Sequence, residues 1–138
     1  MEKKTNKFYW APRILSIIFI AFLMLFSLDI FEMNLGFWET IIGLFIHNIP
    51  ALILLAITVI SWKYEIAGAI AFILFGLFYI FRIAVSSALD SEISWSTALA
   101  WSLIIAGPAL LTGILFLACW FKKRKNRISS PPPINPGI

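Results

Sequence analysis

The sequence predicts an all-α fold, an integral membrane four-helix bundle. Hydrophobic residues make up 61% of the 138 residues and the mean hydropathy is +0.93. A soluble chain this short has too much surface to bury so much apolar side chain. Charged residues amount to 13% of the chain and cluster outside four long apolar runs, each long enough for a bilayer crossing of roughly 17–25 residues. No run alternates polar and apolar residues as a membrane β-strand does, so the spans are helical.

The predicted spans cover residues 11–31, 40–62, 66–88 and 96–121, within a transmembrane domain at residues 1–127. Basic residues precede the first span, as they do in a signal peptide. The end of that span, residues 26–31, lacks the pair of small residues that a cleavage site needs, so we expect an uncleaved first helix. The proline-rich residues 128–138 predict a disordered tail, because proline cannot donate the hydrogen bonds of a helix.

The basic residues predict how the bundle is oriented. Ten of the eleven Lys and Arg residues lie near the N-terminus, between spans two and three or after span four, and only Arg82 lies near the other side. The positive-inside rule makes the basic side cytoplasmic, so both termini and the tail are expected there. The net charge of +4 is then explained by topology and by contact with anionic lipid, and nucleic acid is not an expected partner.

A weak internal repeat favours two tandem helical hairpins. Pro50-Ala51-Leu52 is followed by Trp62, and Pro108-Ala109-Leu110 is followed by Trp120 at the same spacing. Interfacial aromatic belts would explain the tryptophans but not the matching prolines. Spans one and three match poorly, so a duplication is one interpretation of the pattern and convergence the other.

Small residues at intervals of about four predict helix-packing surfaces, because they let two backbones approach closely in lipid. These residues lie on spans three and four, and they are Ala67, Ala71, Ala98, Ser102, Ala106 and Gly113.

Four polar side chains from three spans form a candidate polar vestibule near the outer side. At a rise of about 1.5 Å per residue, His47 lies about 22 Å above the cytoplasmic boundary and Asp29 and Arg82 each about 24 Å. Asn48 adjoins them. We expect Asp29 and Arg82 to pair, since an unpaired charge at this depth is costly. Helix kinks are expected at Pro50 and Pro108, which leave backbone carbonyls without donors.

Two structural interpretations compete with the vestibule. His47 and Asn48 are also typical of side chains that join neighbouring membrane helices by hydrogen bonds. Asp29 and Arg82 could each extend to the outer headgroups without meeting.

The sequence predicts no catalytic residue, no metal site and no cofactor. One histidine and one cysteine do not complete a familiar zinc site, and no haem-attachment, phosphate-loop or nucleophile-elbow motif occurs. Every carboxylate lies near a span boundary, which counts against a proton-coupled drug exporter. We therefore expect a non-enzymatic membrane protein that associates with itself or with a larger membrane protein. The alternatives are a small-solute or proton transporter that uses the vestibule, and an enzyme that acts on lipid.

Four short motifs carry a resemblance to a known family. They are Trp10-Ala11-Pro12-Arg13-Ile14-Leu15-Ser16, Leu28-Asp29, His47-Asn48-Ile49-Pro50 and Trp62-Lys63. In this order they resemble a family of uncharacterised small prokaryotic four-span membrane proteins, over residues 10–80. The resemblance implies a prokaryotic cell membrane and the four-span topology. It implies no activity, substrate, cofactor or functional residue.

Overall fold

A computed structural model describes residues 7–89 and 94–129, and it confirms the all-α fold. The helices are α1 (Lys7–Leu25), α2 (Phe37–Ser61), α3 (Glu65–Leu89) and α4 (Trp95–Ile128), and a 3-10 helix at Phe26–Met33 continues α1. All four helices are long and apolar enough to cross a membrane, α1 being counted together with its 3-10 extension. The predicted tail lies almost wholly outside the described residues, and α4 extends seven residues past its predicted span, through the basic run.

Successive helices are neighbours, and α4 closes the ring by packing against α1. One end of the bundle therefore holds the start of α1, the end of α2, the start of α3 and the end of α4. We call it the basic end, because all the described Lys and Arg residues except Arg82 belong to the segments at this end. The other end holds the 3-10 helix and the start of α2, with Asp29, Glu32 and Glu39.

The first span ends in the 3-10 helix rather than in the α-helix that its apolar run predicts. Ser27 and Ile30 are buried there, and their spacing of three residues suits the three residues per turn of a 3-10 helix. The Ser27 hydroxyl donates to the Met24 carbonyl at 2.6 Å. The chain then reverses at Asn34, whose φ of 49° lies in the left-handed region that asparagine tolerates.

Helices α3 and α4 form the most extensive interface of the bundle. Gly113 is a point of close approach, because a Cβ there would lie 3.0 Å from the Ile73 amide nitrogen and 3.1 Å from the Ala69 carbonyl oxygen. A Cβ at Gly76 would lie 2.8 Å from the Leu110 side chain. Small residues thus bring these two helices together at backbone distance, as they do in membrane bundles generally.

The centre of the bundle is filled by phenylalanine rings from three helices. Phe19, Phe72 and Phe116 are each at most 2% exposed. The ring centroids are 6.3 Å apart between Phe19 and Phe72 and 6.0 Å apart between Phe72 and Phe116, which are normal distances for aromatic pairs. Helix α2 contributes Ala51 and Leu54 to the same core.

Candidate functional site at the basic end

Contacts between polar and aromatic side chains tie the four helix ends together at the basic end. The Arg13 guanidinium of α1 donates to the Trp62 carbonyl at 3.1 Å, and it lies over the rings of Trp10 and Trp62 at 5.5 and 5.9 Å. The Cys119 thiol of α4 is buried and donates to the Phe8 carbonyl of α1 at 3.6 Å. The arginine thus anchors the turn between α2 and α3 to the first turns of α1.

An ion pair joins the first turn of α3 to the last turns of α4. The Lys123 Nζ donates to both carboxylate oxygens of Glu65, at 2.9 and 3.2 Å. The Glu65 side chain is 10% exposed and that of Lys123 is 39% exposed, so the carboxylate is buried and the ammonium reaches solvent. Burying the carboxylate is tolerable because the lysine compensates its charge and donates a hydrogen bond to each of its oxygens.

The ion pair forms one wall of a cavity of about 430 Å³, which we call the basic pocket. Among the described residues its cations are Lys63, Lys123, Arg124 and Arg127, and Glu65 is its one carboxylate. Tyr64 and Trp120 supply aromatic surface, with Lys63 over the Tyr64 ring at 5.6 Å and Arg124 over the Trp120 ring at 5.4 Å. The pocket therefore carries a net excess of positive charge. This arrangement suits an anion.

Sequence reasoning missed the Glu65–Lys123 pair and the pocket beside it. A signal was present, because Glu65 is an acid two residues after Lys63, in the segment between spans two and three that belongs to the basic side. Lys123 was recognised only as one member of a basic run. Nothing in the run distinguishes it from its neighbours until the rotation of α4 about its axis is known.

The predicted polar vestibule is not assembled by contacts between its members. Asp29, His47 and Arg82 are all exposed, and within residues 7–89 and 94–129 no hydrogen bond or ion pair joins any two of the four side chains. Asp29 lies off the buried Ser27–Ile30 row of the 3-10 helix. The vestibule stays a prediction that rests on depth alone.

Asn48 bonds within its own helix. Its amide nitrogen donates to the Leu44 carbonyl at 2.9 Å, and its Oδ1 is buried without a hydrogen-bond partner. Within the described residues the side chain makes no hydrogen bond to a neighbouring helix, and the interhelical role that the sequence suggested stays a prediction.

Both prolines lie inside continuous helices. Helix α2 runs through Pro50 and α4 runs through Pro108. Between these prolines and the basic end lie the packed rings of Phe19, Phe72 and Phe116. A transport route from an outer vestibule to the basic end would have to cross this aromatic core.

The predicted packing residues divide between two surfaces. Those on α4, which are Ala98, Ser102, Ala106 and Gly113, are all buried. On α3 the glycines Gly68 and Gly76 are buried, whereas Ala67 and Ala71 are half-buried. The two alanines line an apolar groove of about 640 Å³ between α2 and α3, which we call the α2–α3 groove.

The described part of the chain holds no group of three or more His, Cys, Asp or Glu side chains arranged to bind a metal ion. Within the same residues, the exposed His47 makes no hydrogen bond or ion pair with an acid or a nucleophile. The structure thus offers two candidate binding surfaces, the positively charged basic pocket and the apolar α2–α3 groove.

The four apolar helices and the charged ends define a small multi-pass membrane protein. Residues 1–128 match the family described as Domain of unknown function (DUF7670), and the chain belongs to this family. The match extends beyond residues 10–80, the range of the resemblance seen in the sequence, to the end of α4. No curated protein and no solved structure matches the chain.

Proposed function

We propose that the protein is a non-enzymatic component of a prokaryotic cytoplasmic membrane that acts by self-association, with both termini on the cytoplasmic side. The orientation is supported by the concentration of Lys and Arg at the basic end, which the positive-inside rule assigns to the cytoplasm. Self-association is supported by a separate observation, the α2–α3 groove.

The α2–α3 groove has the lining of a helix-docking surface. Ile49, Ile53 and Ile60 of α2 form one side, and Ala67 and Ala71 form a row of small residues on α3. From Ile49 to Ile60 the groove is roughly 16 Å long, or about three helical turns. Two alanines four residues apart allow a second helix to approach closely, and close packing is a main source of helix association in lipid.

The occupant that fits best is α2 of a second copy of the chain. Helix α2 buries only Ala51, Leu54, Thr58 and Ser61, a stripe spaced by three and four residues that faces its own bundle. Its remaining apolar surface is directed outward beside the groove. In a two-fold symmetric dimer the same patch serves both copies, so each α2 can enter the groove of the other.

Filling the groove tests this proposal. We expect the double variant Ala67→Phe plus Ala71→Phe to be monomeric, because two phenyl rings would occupy the space for the incoming helix. Native mass spectrometry in a mild detergent measures the fraction of dimer. Ala21→Phe is the matched control, because Ala21 is an exposed residue on α1 that does not line the groove.

The natural sequence and the Ala21→Phe variant are expected to be mainly dimeric. A natural sequence that is strictly monomeric and carries no other protein after gentle extraction would contradict the proposal. A monomeric chain that retains a different membrane protein, and loses it in the groove variant, would instead identify the groove as the site of a larger partner.

A further inference from the structure

We propose that the basic pocket binds the phosphate group of an anionic phospholipid. The pocket lies between the first turn of α3 and the last turns of α4, and its volume of about 430 Å³ is within the roughly 300–1,000 Å³ of small-molecule sites. It is separate from the α2–α3 groove, so this inference does not rest on self-association.

The excess of positive charge in the pocket favours an anionic ligand. Lys123 is engaged by both oxygens of Glu65. Within the described residues Lys63, Arg124 and Arg127 have no carboxylate partner. Four cations and one carboxylate leave an excess of three positive charges around one cavity. Guanidinium groups match the geometry of phosphate oxygens with two parallel hydrogen bonds.

The backbone adds to this positive potential. Helix α3 begins at Glu65, on the wall of the pocket, and the first amide groups of a helix have no partner within it. The positive end of the helix dipole favours an anion at the same place. Side chains and backbone thus act in the same direction.

The level of the pocket in the bundle favours a lipid over a soluble phosphate. Trp120 and Tyr64 line the pocket and Trp62 lies just before Lys63, and tryptophan and tyrosine concentrate at the headgroup level of a bilayer. Basic pockets at the ends of membrane helices are typical sites for anionic headgroups. A phosphodiester placed between Arg124 and Arg127 would therefore be supplied by the surrounding leaflet.

The test uses native mass spectrometry of the full chain in a non-ionic detergent with added dioleoylphosphatidylglycerol. Dioleoylphosphatidylcholine, which has the same acyl chains and no net charge, tests whether charge is required. Soluble glycerol 3-phosphate in a third arm distinguishes a lipid from a free phosphate. The pocket variant is Arg124→Gln plus Arg127→Gln, both at exposed positions, and unchanged circular dichroism and thermal unfolding verify its fold.

The matched control is Lys122→Gln plus Lys125→Gln, which removes the same charge from the same run of α4 outside the pocket. We expect phosphatidylglycerol to bind the natural chain and phosphatidylcholine to bind at least tenfold more weakly. The pocket variant is expected to lose roughly tenfold or more in affinity for phosphatidylglycerol, and the control less than about threefold.

Three results would overturn the inference. An equal loss in the pocket variant and the control would show attraction to the whole basic run rather than to a site. An unchanged affinity in the pocket variant would show that the pocket binds no lipid. Glycerol 3-phosphate binding as tightly as phosphatidylglycerol would assign the pocket to a soluble phosphate compound.

Discussion

Glu65 is the one carboxylate that the structure describes at the basic end of the bundle. Its position at the start of α3 places it where the helix dipole favours negative charge, and Lys123 from α4 neutralises it at 2.9 Å. The pair connects two helices at the wall of the basic pocket. Because the carboxylate is far less exposed than the ammonium, the two partners should respond differently to substitution.

The first prediction concerns this asymmetry. Lys123→Met should lower the free energy of unfolding by about 1–2 kcal/mol, since it leaves a buried carboxylate without its partner; the partial exposure of the lysine keeps the loss below that of a fully buried pair. Adding Glu65→Gln should restore part of this loss. Unfolding in mixed micelles, in a double-mutant cycle, measures the coupling. A loss in the double variant equal to the sum of the losses in Lys123→Met and Glu65→Gln alone would mean that the pair is not coupled.

At the residue scale, the sequence predicts how deep a side chain lies in the membrane but not which face of its helix it occupies. Counting 1.5 Å per residue placed Asp29, His47 and Arg82 at one level, but the 3-10 helix around Asp29 has a different period from an α-helix. A change of period rotates every later side chain, so the face that Asp29 occupies could not be derived from its depth. The pairing of Glu65 with Lys123 was missed because the rotation of α4 about its axis, which brings Lys123 rather than its basic neighbours to Glu65, cannot be derived from the sequence.

At the scale of the elements, the apolar runs predicted the helices well. All four predicted spans correspond to observed helices, because a membrane imposes both their length and their hydrophobicity. On α4 the whole row of small residues, from Ala98 to Gly113, is buried in the bundle. The sequence could not show that Gly68 and Gly76 face the interior while Ala67 and Ala71 line the α2–α3 groove. Both pairs are spaced by a multiple of four residues on one helix, so their spacing does not distinguish them.

The second prediction tests the close approach of α3 and α4 with a pair of glycines on the same helix. Gly113→Ala should destabilise the bundle by about 1–3 kcal/mol, because the added methyl group would meet the backbone of α3 and force the helices apart. Gly107→Ala should be neutral or stabilise by up to about 1 kcal/mol, since no atom lies within 4 Å of a Cβ there and alanine favours a helix.

Unfolding of both variants in the same micelles makes the comparison. We expect the Gly113→Ala variant to be the less stable of the two. Equal effects at the two glycines would indicate that α3 and α4 are farther apart than the structure has them.

At the scale of the whole molecule, the two ends of the bundle differ in charge and in the contacts and elements that they contain. The basic end holds the Glu65–Lys123 pair, the basic pocket and the Arg13–Trp62 contact, and the other end holds acidic residues and the 3-10 helix. This asymmetry supports one orientation in the membrane. Membership in the DUF7670 family indicates no activity. The proposed function therefore rests on the orientation of the bundle, the α2–α3 groove and the basic pocket.

The central claim, a four-span protein with its basic end in the cytoplasm, is tested most directly by cysteine accessibility in intact cells. Cys119→Ala removes the native thiol, and a single cysteine is then introduced as Glu32→Cys or Asn126→Cys. A membrane-impermeant maleimide should label the Glu32→Cys chain in intact cells and the Asn126→Cys chain only after the membrane is opened. Labelling of the Asn126→Cys chain in intact cells would contradict the orientation and the site that depends on the cytoplasmic leaflet.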